Sequence, residues 1–241
     1  MRRVVVLLGL LAVLATGCGR GDAAPDDVVA DAVDGCPDVQ VVGLRGQAQS
    51  LEHHRGLGTE VDAVATALER RLADRGVEHV EVDAVEHRSR DASALGAYAD
   101  DVADGRARLA DDLREVAEDC PEARVVVLGF SQGAQIAQET LASDPGLAAG
   151  VDLLGLVGSP RHDPDAPFVR VDLPGPEPGR EGVLGAGPDL GPLASRTVSA
   201  CLTGDVVCDA DGGNDYAVHK HGYEPDPVSA AIATALDRAL A

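Results

Sequence analysis

Residues 124–133, which read Arg-Val-Val-Val-Leu-Gly-Phe-Ser-Gln-Gly, constrain the fold more than any other stretch of the chain. The first seven residues form its strongest strand-like apolar run, and a helical pattern follows them to Ala142. Ser131 therefore lies in a Gly-x-Ser-x-Gly turn between a strand and a helix. Such a turn is so tight that Gly129 and Gly133 have no room for a side chain, and it exposes the serine hydroxyl. The pattern predicts that Ser131 is a nucleophile.

The segments on either side of this turn alternate between strand-like and helical patterns. Strands are predicted at 39–44, 77–82, 124–130, 151–157 and 196–202, and helices at 59–76, 102–116, 132–142 and 227–240. Such alternation is typical of an α/β protein, a three-layer α/β/α sandwich with a central, mostly parallel sheet. Its functional site is expected at the carboxyl ends of the strands. Residues 160–195 are rich in Pro and Gly and are predicted to form a long surface excursion.

Composition and charge restrict the partners. The chain has 241 residues, 45% of them apolar, so it can bury a core, and we find no repeat and no second domain. Its 41 acidic residues exceed its 20 Lys and Arg residues, which gives a net charge of −21. Nucleic acid is therefore not an expected partner, since a nucleic-acid-binding protein needs a basic surface. No coiled-coil pattern is present, so we expect a monomer.

The N-terminus is typical of an export signal. Two arginines precede an apolar run from Val4 to Leu14, which is too short to span a bilayer. It is followed by Ala15-Thr16-Gly17-Cys18, which resembles a bacterial lipoprotein cleavage box, although Leu, Val or Ile is usual where Ala15 stands. We predict a lipoprotein-type signal peptide at 1–17, a lipidated Cys18 and an acidic tether at 18–35. A plain secretory signal and an uncleaved anchor are the alternatives.

The cysteine count agrees with export. Lipidation of Cys18 leaves four of the five cysteines for two disulfides, which an oxidising compartment allows. Four cysteines allow three pairings. Cys201 and Cys208 close a loop of eight residues, which favours that pair and leaves Cys36 for Cys120. The protein is expected to be secreted or anchored to the cell envelope, with the lipid as its only membrane contact.

The chain resembles the cutinase family of serine esterases over residues 36–241. In that family the elbow reads Gly-Tyr/Phe-Ser-Gln-Gly and follows a strand preceded by Cys-Pro, as at Cys120-Pro121 here. A second motif, Cys-x-x-x-Asp-x-Val-Cys, matches residues 201–208 and contains Asp205. The resemblance implies an α/β-hydrolase fold with Asp205 as the acid of a Ser-His-Asp triad. Independently of the resemblance, the position of Gln132 directly after the turn, at the helix N-terminus, predicts its backbone N–H as one oxyanion donor.

The histidine that would act as the catalytic base is less well defined by the sequence. The hydrolase order of Ser, acid and then His leaves His219 and His221 as candidates. The family has His-x-x-Tyr here, and alignment on Tyr223 without a gap places Lys220 at the His position. We favour His219, because Ala217-Val218 resembles the family's approach to its histidine, and keep His221 as the alternative. A His-x-His metal pair is not favoured, because no third ligand motif accompanies it.

The second oxyanion donor departs from the family pattern. The family takes it from a Ser or Thr after Arg-Gly, whereas Gln47 follows Arg45-Gly46 here. The backbone N–H of Gln47 can still donate, and its side-chain amide is a candidate substitute for the hydroxyl. Loss of one oxyanion donor costs about 10²–10³ in turnover, so this substitution predicts a slow enzyme.

Together these features predict a serine carboxylic-ester hydrolase that forms an acyl-enzyme. The resemblance implies short- to medium-chain acyl esters, with lipids or polyesters as further substrates, and no metal or organic cofactor. The same triad would serve an acyltransferase, a thioesterase or a phospholipase. The alternative that is not an enzyme is a lipid-binding lipoprotein of the cell envelope.

Overall fold

The sheet that carries the functional site is entirely parallel. The structure is a computed structural model, and it describes residues 35–91, 95–210 and 216–241. Within them the strands are β1 (Val39–Leu44), β2 (Val80–Ala84), β3 (Arg124–Phe130), β4 (Leu153–Val157), β5 (Val169–Arg170) and β6 (Thr197–Ala200). Their order is β2-β1-β3-β4-β6-β5. The predicted signal peptide at 1–17, Cys18 and nearly all of the tether at 18–35 lie outside the described residues.

Helices cover both faces of the sheet. The α-helices are α1 (Thr59–Asp74), α2 (Leu95–Asp119), α3 (Gln132–Ser143), α4 (Pro145–Ala149), α5 (Tyr216–His221) and α6 (Asp226–Leu240). One core cluster joins α1 and α6 to one face, and a second joins α2 and α3 to the other. The α/β/α sandwich predicted from the alternating pattern is confirmed. The central strands β1, β3 and β4 are short, apolar and rich in Val and Leu, as expected of parallel strands buried on both faces of the sheet.

The central strands β1, β3 and β4 position the site. Leu44 pairs with Gly129, and Phe130 pairs with Val157, so these three strands end at nearly the same level. The loops that follow them therefore meet at one edge of the sheet, which is the edge where parallel α/β proteins place their sites.

Residues 160–195 run mostly over the surface, as predicted, but the segment is not wholly irregular. The segment contains the edge strand β5 and a 3₁₀ helix at Gly191–Arg196. His162, Leu190 and Leu193 within it are buried. The burial of these residues was not predicted from the sequence, because single buried residues in an irregular, Pro- and Gly-rich segment form no periodic pattern.

Both predicted disulfides are present. Cys36 is bonded to Cys120 and ties the start of β1 to the end of α2, while Cys201 is bonded to Cys208 just after β6. None of the helices in the described ranges has the length and apolar character that crossing a membrane requires.

Candidate active site

Ser131 occupies a strained turn between β3 and α3. Its φ of 52° and ψ of −116° lie outside the regions that residues with a side chain usually adopt. A Cβ on Gly129 would lie 2.6 Å from the Gly133 carbonyl carbon. A Cβ on Gly133 would lie 2.2 Å from the Leu44 carbonyl oxygen. Backbone therefore fills both positions, and this is the steric reason for Gly at each of them.

The structure brings Ser131, His219 and Asp205 into one hydrogen-bonded chain. Ser131 Oγ lies 2.9 Å from His219 Nε2, and His219 Nδ1 lies 2.9 Å from Asp205 Oδ1. A carboxylate can only accept, so Nδ1 carries the proton and Nε2 is left to accept from the serine hydroxyl. All three side chains are buried. This is the arrangement in which an imidazole can take up the serine proton.

The other histidine candidate is not part of this chain of hydrogen bonds. The side chain of His221 is 70% exposed, and its Nδ1 lies 3.4 Å from Glu224 Oε1. His219 and His221 are two residues apart in α5, and helical residues with that spacing do not share a face. The structure therefore brings His219, and not His221, to Ser131.

The Asp205 carboxylate receives hydrogen bonds besides that of His219. Backbone N–H of Val207 donates to Oδ1 at 2.8 Å, and the Tyr223 hydroxyl donates to Oδ2 at 2.6 Å. Burial and then the nearby Asp205 charge raise the pKa of Tyr223 well above its usual value, so its hydroxyl stays a donor. The Cys201–Cys208 disulfide closes the loop that holds Asp205. Sequence reasoning used Tyr223 only to align the histidines and missed this contact.

Two aromatic rings contact the His219 imidazole. Phe130, next to Ser131 in the chain, stacks on it with centroids 4.8 Å apart, and the Tyr216 ring lies 5.2 Å away. Phe130 also meets Tyr223 edge-on at 5.8 Å. These contacts restrict the orientation of the imidazole from sides where it has no hydrogen bond.

The two predicted oxyanion donors, Gln132 and Gln47, lie on neighbouring elements. Gln132 is the first residue of α3, where backbone N–H groups have no acceptor within the helix. Gln47 follows β1, whose Leu44 is paired with Gly129 beside it in the sheet. Among the described residues, no acceptor contacts the backbone N–H of Gln47. The Gln132 side chain is fully buried, and its amide atoms have no hydrogen-bond partner among those residues.

The described part of the structure contains no candidate metal centre. Across the described ranges, no group of three or more His, Cys, Asp or Glu side chains is arranged to hold a metal ion. Cys18, the predicted lipidation site, lies outside those ranges.

The comparison with known proteins defines the class and then the family. An all-parallel sheet between helical layers, with a serine on a strained strand-to-helix turn, is the architecture of an α/β-hydrolase. The model of the Cutinase family matches residues 20–238. The chain therefore belongs to the cutinase family of carboxylic-ester hydrolases, and the resemblance read from the sequence is confirmed.

Individual relatives and solved structures agree with this placement. The chain is 27% identical over 237 residues to the Carboxylesterase Culp1 of Mycobacterium tuberculosis, covering 98% of this chain and 93% of the relative. It is 29% identical over 194 residues to the Phospholipase Culp4 of the same organism, covering 79% and 74%.

Two solved structures share the fold. A cutinase-like protein from Cryptococcus sp. matches with a TM-score of 0.68 and 18% identity, covering 86% of this chain and 97% of that one. The catalytic core of an acetyl xylan esterase from Trichoderma reesei matches with a TM-score of 0.63 and 24% identity, covering 83% and 99%.

Proposed function

We propose that the protein hydrolyses carboxylic esters through an acyl-enzyme on Ser131. The observation that carries the proposal is the continuous set of hydrogen bonds from Ser131 through His219 to Asp205, each 2.9 Å long. A serine hydroxyl is a poor nucleophile by itself, and a hydrogen-bonded imidazole with an orienting carboxylate is the arrangement that activates it.

The reaction follows from these contacts. Ser131 Oγ bonds to the ester carbonyl carbon while His219 Nε2 takes up the serine proton. The N–H groups of Gln132 and Gln47 stabilise the negative oxygen of the tetrahedral intermediate. The ester C–O bond then breaks, and the alcohol leaves with the proton from His219. Water attacks the acyl-enzyme by the same route, and this second half releases the acid and restores the Ser131 hydroxyl.

Asp205 has an orienting role in this proposal. Its carboxylate fixes the imidazole tautomer and stabilises the imidazolium that forms when His219 takes the proton. The protein needs no metal or organic cofactor for these steps. His221 has no role in them.

The substrates we propose are short- to medium-chain acyl esters, with lipid esters as the second candidate. The relative named as a carboxylesterase supports the first candidate. The relative named as a phospholipase supports the second. An acyltransferase or thioesterase would use the same acyl-enzyme with a different acceptor or leaving group. The assembled hydrogen bonds at Ser131 argue against a non-catalytic lipid-binding protein, which would not require them.

Hydrolysis of p-nitrophenyl esters from butyrate to palmitate tests the proposal. We would compare the disulfide-oxidised protein with Ser131→Ala, His219→Ala and His221→Ala. We expect Ser131→Ala and His219→Ala to lower kcat by about 10³-fold or more, and His221→Ala to leave it within about threefold. Wild-type activity no higher than that of Ser131→Ala would overturn the esterase proposal. Loss of activity in His221→Ala alone would reassign the base.

Labelling with a fluorophosphonate separates an enzyme from a binding protein. The probe bonds covalently only to an activated serine, so we expect one label per chain at Ser131 and none in Ser131→Ala. A chain that stays unlabelled would favour the lipid-binding alternative.

We also propose that the protein is exported and anchored through a lipid on Cys18. The two disulfides support export, because such bonds persist in oxidising compartments. Cys18→Ala should move the protein from the envelope fraction to the soluble exported fraction. An unchanged distribution would favour a plain secretory signal.

A further inference from the structure

The loop that carries Gln47 is held by its own side chains and by its neighbours. Gly46 N–H donates to the Gln49 side-chain oxygen Oε1 at 2.7 Å, and the Ser89 hydroxyl donates to Gly46 O at 2.7 Å. The Arg45 guanidinium donates to Gln49 O at 2.9 Å. Both ends of the segment from Gly46 to Gln49 are therefore fixed by hydrogen bonds.

The Gln49 amide connects this loop to α1. Its Nε2 donates to Glu60 Oε2 in the first turn of α1, while its Oε1 accepts from Gly46 N–H. Glu60 is only 2% exposed, and burial raises the pKa of its carboxyl. A Cβ on Gly58 would lie 2.1 Å from Gln49 Oε1, so the amide fits only because residue 58 is a glycine. One side chain thus bridges the loop and a buried helix terminus.

This bridge determines which N–H of the loop is left without an acceptor. Gly46 N–H is occupied by Gln49 Oε1, whereas Gln47 N–H contacts no acceptor among the described residues. Ala48 adopts a φ of 62°, a left-handed conformation that residues with a side chain rarely hold without support. Without the Gln49 amide, Gly46 N–H would be free and the strained loop could relax.

We propose that Gln49, held by Glu60, is a positioning residue that keeps the Gln47 N–H aligned as the second oxyanion donor. The inference rests on the proposed function, since it concerns the stabilisation of an intermediate formed at Ser131. It explains how the site can operate although Gln47 lacks the hydroxyl that Ser or Thr would supply.

Exchange of the two side chains tests this role. Gln49→Glu replaces the amide donor by a second carboxyl group beside Glu60, so the amide hydrogen bond is lost and the two groups repel each other when both are ionised. In the double variant Gln49→Glu/Glu60→Gln, the amide is on α1 and donates to a carboxylate on the loop. The hydrogen bond between positions 49 and 60 therefore forms with its direction reversed, while Gly46 N–H still donates to the side-chain oxygen at position 49. We expect kcat to fall at least about tenfold in the single variant, with KM within about twofold, and to recover in the double variant to within about threefold of wild type.

A matched control is available on β1. Gln40 Nε2 donates to Asp83 Oδ2 at 2.8 Å, an amide–carboxylate pair near the opposite end of that strand from the loop. Gln40→Glu introduces the same repulsion there and should lower stability without lowering kcat. Gln49→Met keeps the side-chain length, has no amide and adds no charge, so it serves if Gln49→Glu does not fold. It should lower kcat at least about fivefold.

The outcomes separate this inference from the proposed function. Wild-type hydrolysis that depends on Ser131, together with a kcat in folded Gln49→Met within threefold of wild type, would overturn this inference alone. A double variant no more active than Gln49→Glu would also overturn it. Absence of Ser131-dependent hydrolysis in the wild type would overturn both. Urea unfolding of each variant establishes that the measured protein is folded.

Discussion

The hydroxyl of Tyr223 lies 2.6 Å from Asp205 Oδ2 and donates to it from a fully buried position. The same hydroxyl oxygen accepts the Leu202 backbone N–H at 3.0 Å. Tyr223 therefore joins the acid loop to the segment that follows α5, and one buried phenol links the elements that carry Asp205 and His219. Hydrogen bonds to charged groups are worth more than neutral ones, so this contact should matter for both stability and rate.

Tyr223→Phe removes this contact while it keeps the ring. We expect the free energy of unfolding to fall by about 1–3 kcal/mol, because Leu202 N–H loses its acceptor and the carboxylate loses a donor. We expect kcat to fall about tenfold, because Asp205 is held less firmly against His219. Tyr98→Phe is the control, since it removes a 2.7 Å hydrogen bond to the side chain of Gln135, which makes no hydrogen bond to a triad side chain. Equal effects of the two variants on kcat would contradict the role of Tyr223.

Gly133→Ala should disrupt the nucleophile turn. Its Cβ would lie 2.2 Å from Leu44 O and 2.7 Å from Arg45 O, and backbone at the end of a central strand cannot move aside cheaply. We expect a loss of stability of about 2 kcal/mol or more and a large fall in kcat. Gly96→Ala in α2 is the control, because no atom of the described residues lies within 4 Å of the position its Cβ would take. That variant should be stabilised by about 0.5–1 kcal/mol in urea unfolding. A Gly133→Ala protein with wild-type kcat would contradict the close approach of residue 133 to the carbonyl oxygens of Leu44 and Arg45.

Removal of one disulfide should mainly lower stability, and removal of the other should mainly lower activity. Cys36 and Cys120 are 84 residues apart, and Cys201 and Cys208 are 7 apart. The loop-entropy relation assigns about 4–5 kcal/mol to the long loop and about 2–3 kcal/mol to the short one. We expect the Cys36→Ser/Cys120→Ser variant to lose more stability in urea unfolding. We expect Cys201→Ser/Cys208→Ser to lose more kcat, because its loop holds Asp205. The reverse ranking in kcat would contradict this assignment.

Much of the fold could be predicted because its signals are local. The run at 124–130 coincides with β3, and the helical pattern after it coincides with α3 to within a residue. Buried parallel strands are continuous apolar runs, and the helices between them keep a 3.6-residue period, so each segment indicates its own structure. The edge strand β5 was missed, since two half-buried residues form no pattern.

The site was predictable to the extent that its residues lie in motifs. Ser131 and Asp205 each stand in a fixed local context, whereas one inserted or deleted residue decides between His219 and His221. The choice between the two histidines depends on which side of α5 faces Ser131. The sequence of this short helix does not indicate that side. The contact of Gln49 with Glu60 is likewise invisible in sequence, because it joins a loop to a helix across 11 residues of chain.

Two buried histidines should make the protein less stable in acid. Burial, with the Arg170 charge, lowers the pKa of His162 to about 4, and burial with the Arg45 charge lowers that of His87 to about 4. Both are therefore neutral in the folded chain at pH values where the unfolded chain protonates them, below about 6.5. The unfolded state then binds more protons, so the free energy of unfolding falls as the pH drops from about 6.5 towards 4.

The expected size of this effect is about 2 kcal/mol for each histidine between pH 7.5 and pH 5. Urea unfolding at the two pH values measures it, and the double variant His87→Asn/His162→Asn should lose less stability on acidification than wild type by about 4 kcal/mol. Glu60, whose pKa is raised by burial, contributes a change of opposite sign, but it is common to both proteins and cancels in the comparison. His221→Asn, which replaces an exposed histidine, is the control for the substitution itself. If wild type and the double variant lost equal stability between the two pH values, the histidines would not be the buried neutral groups that the structure describes.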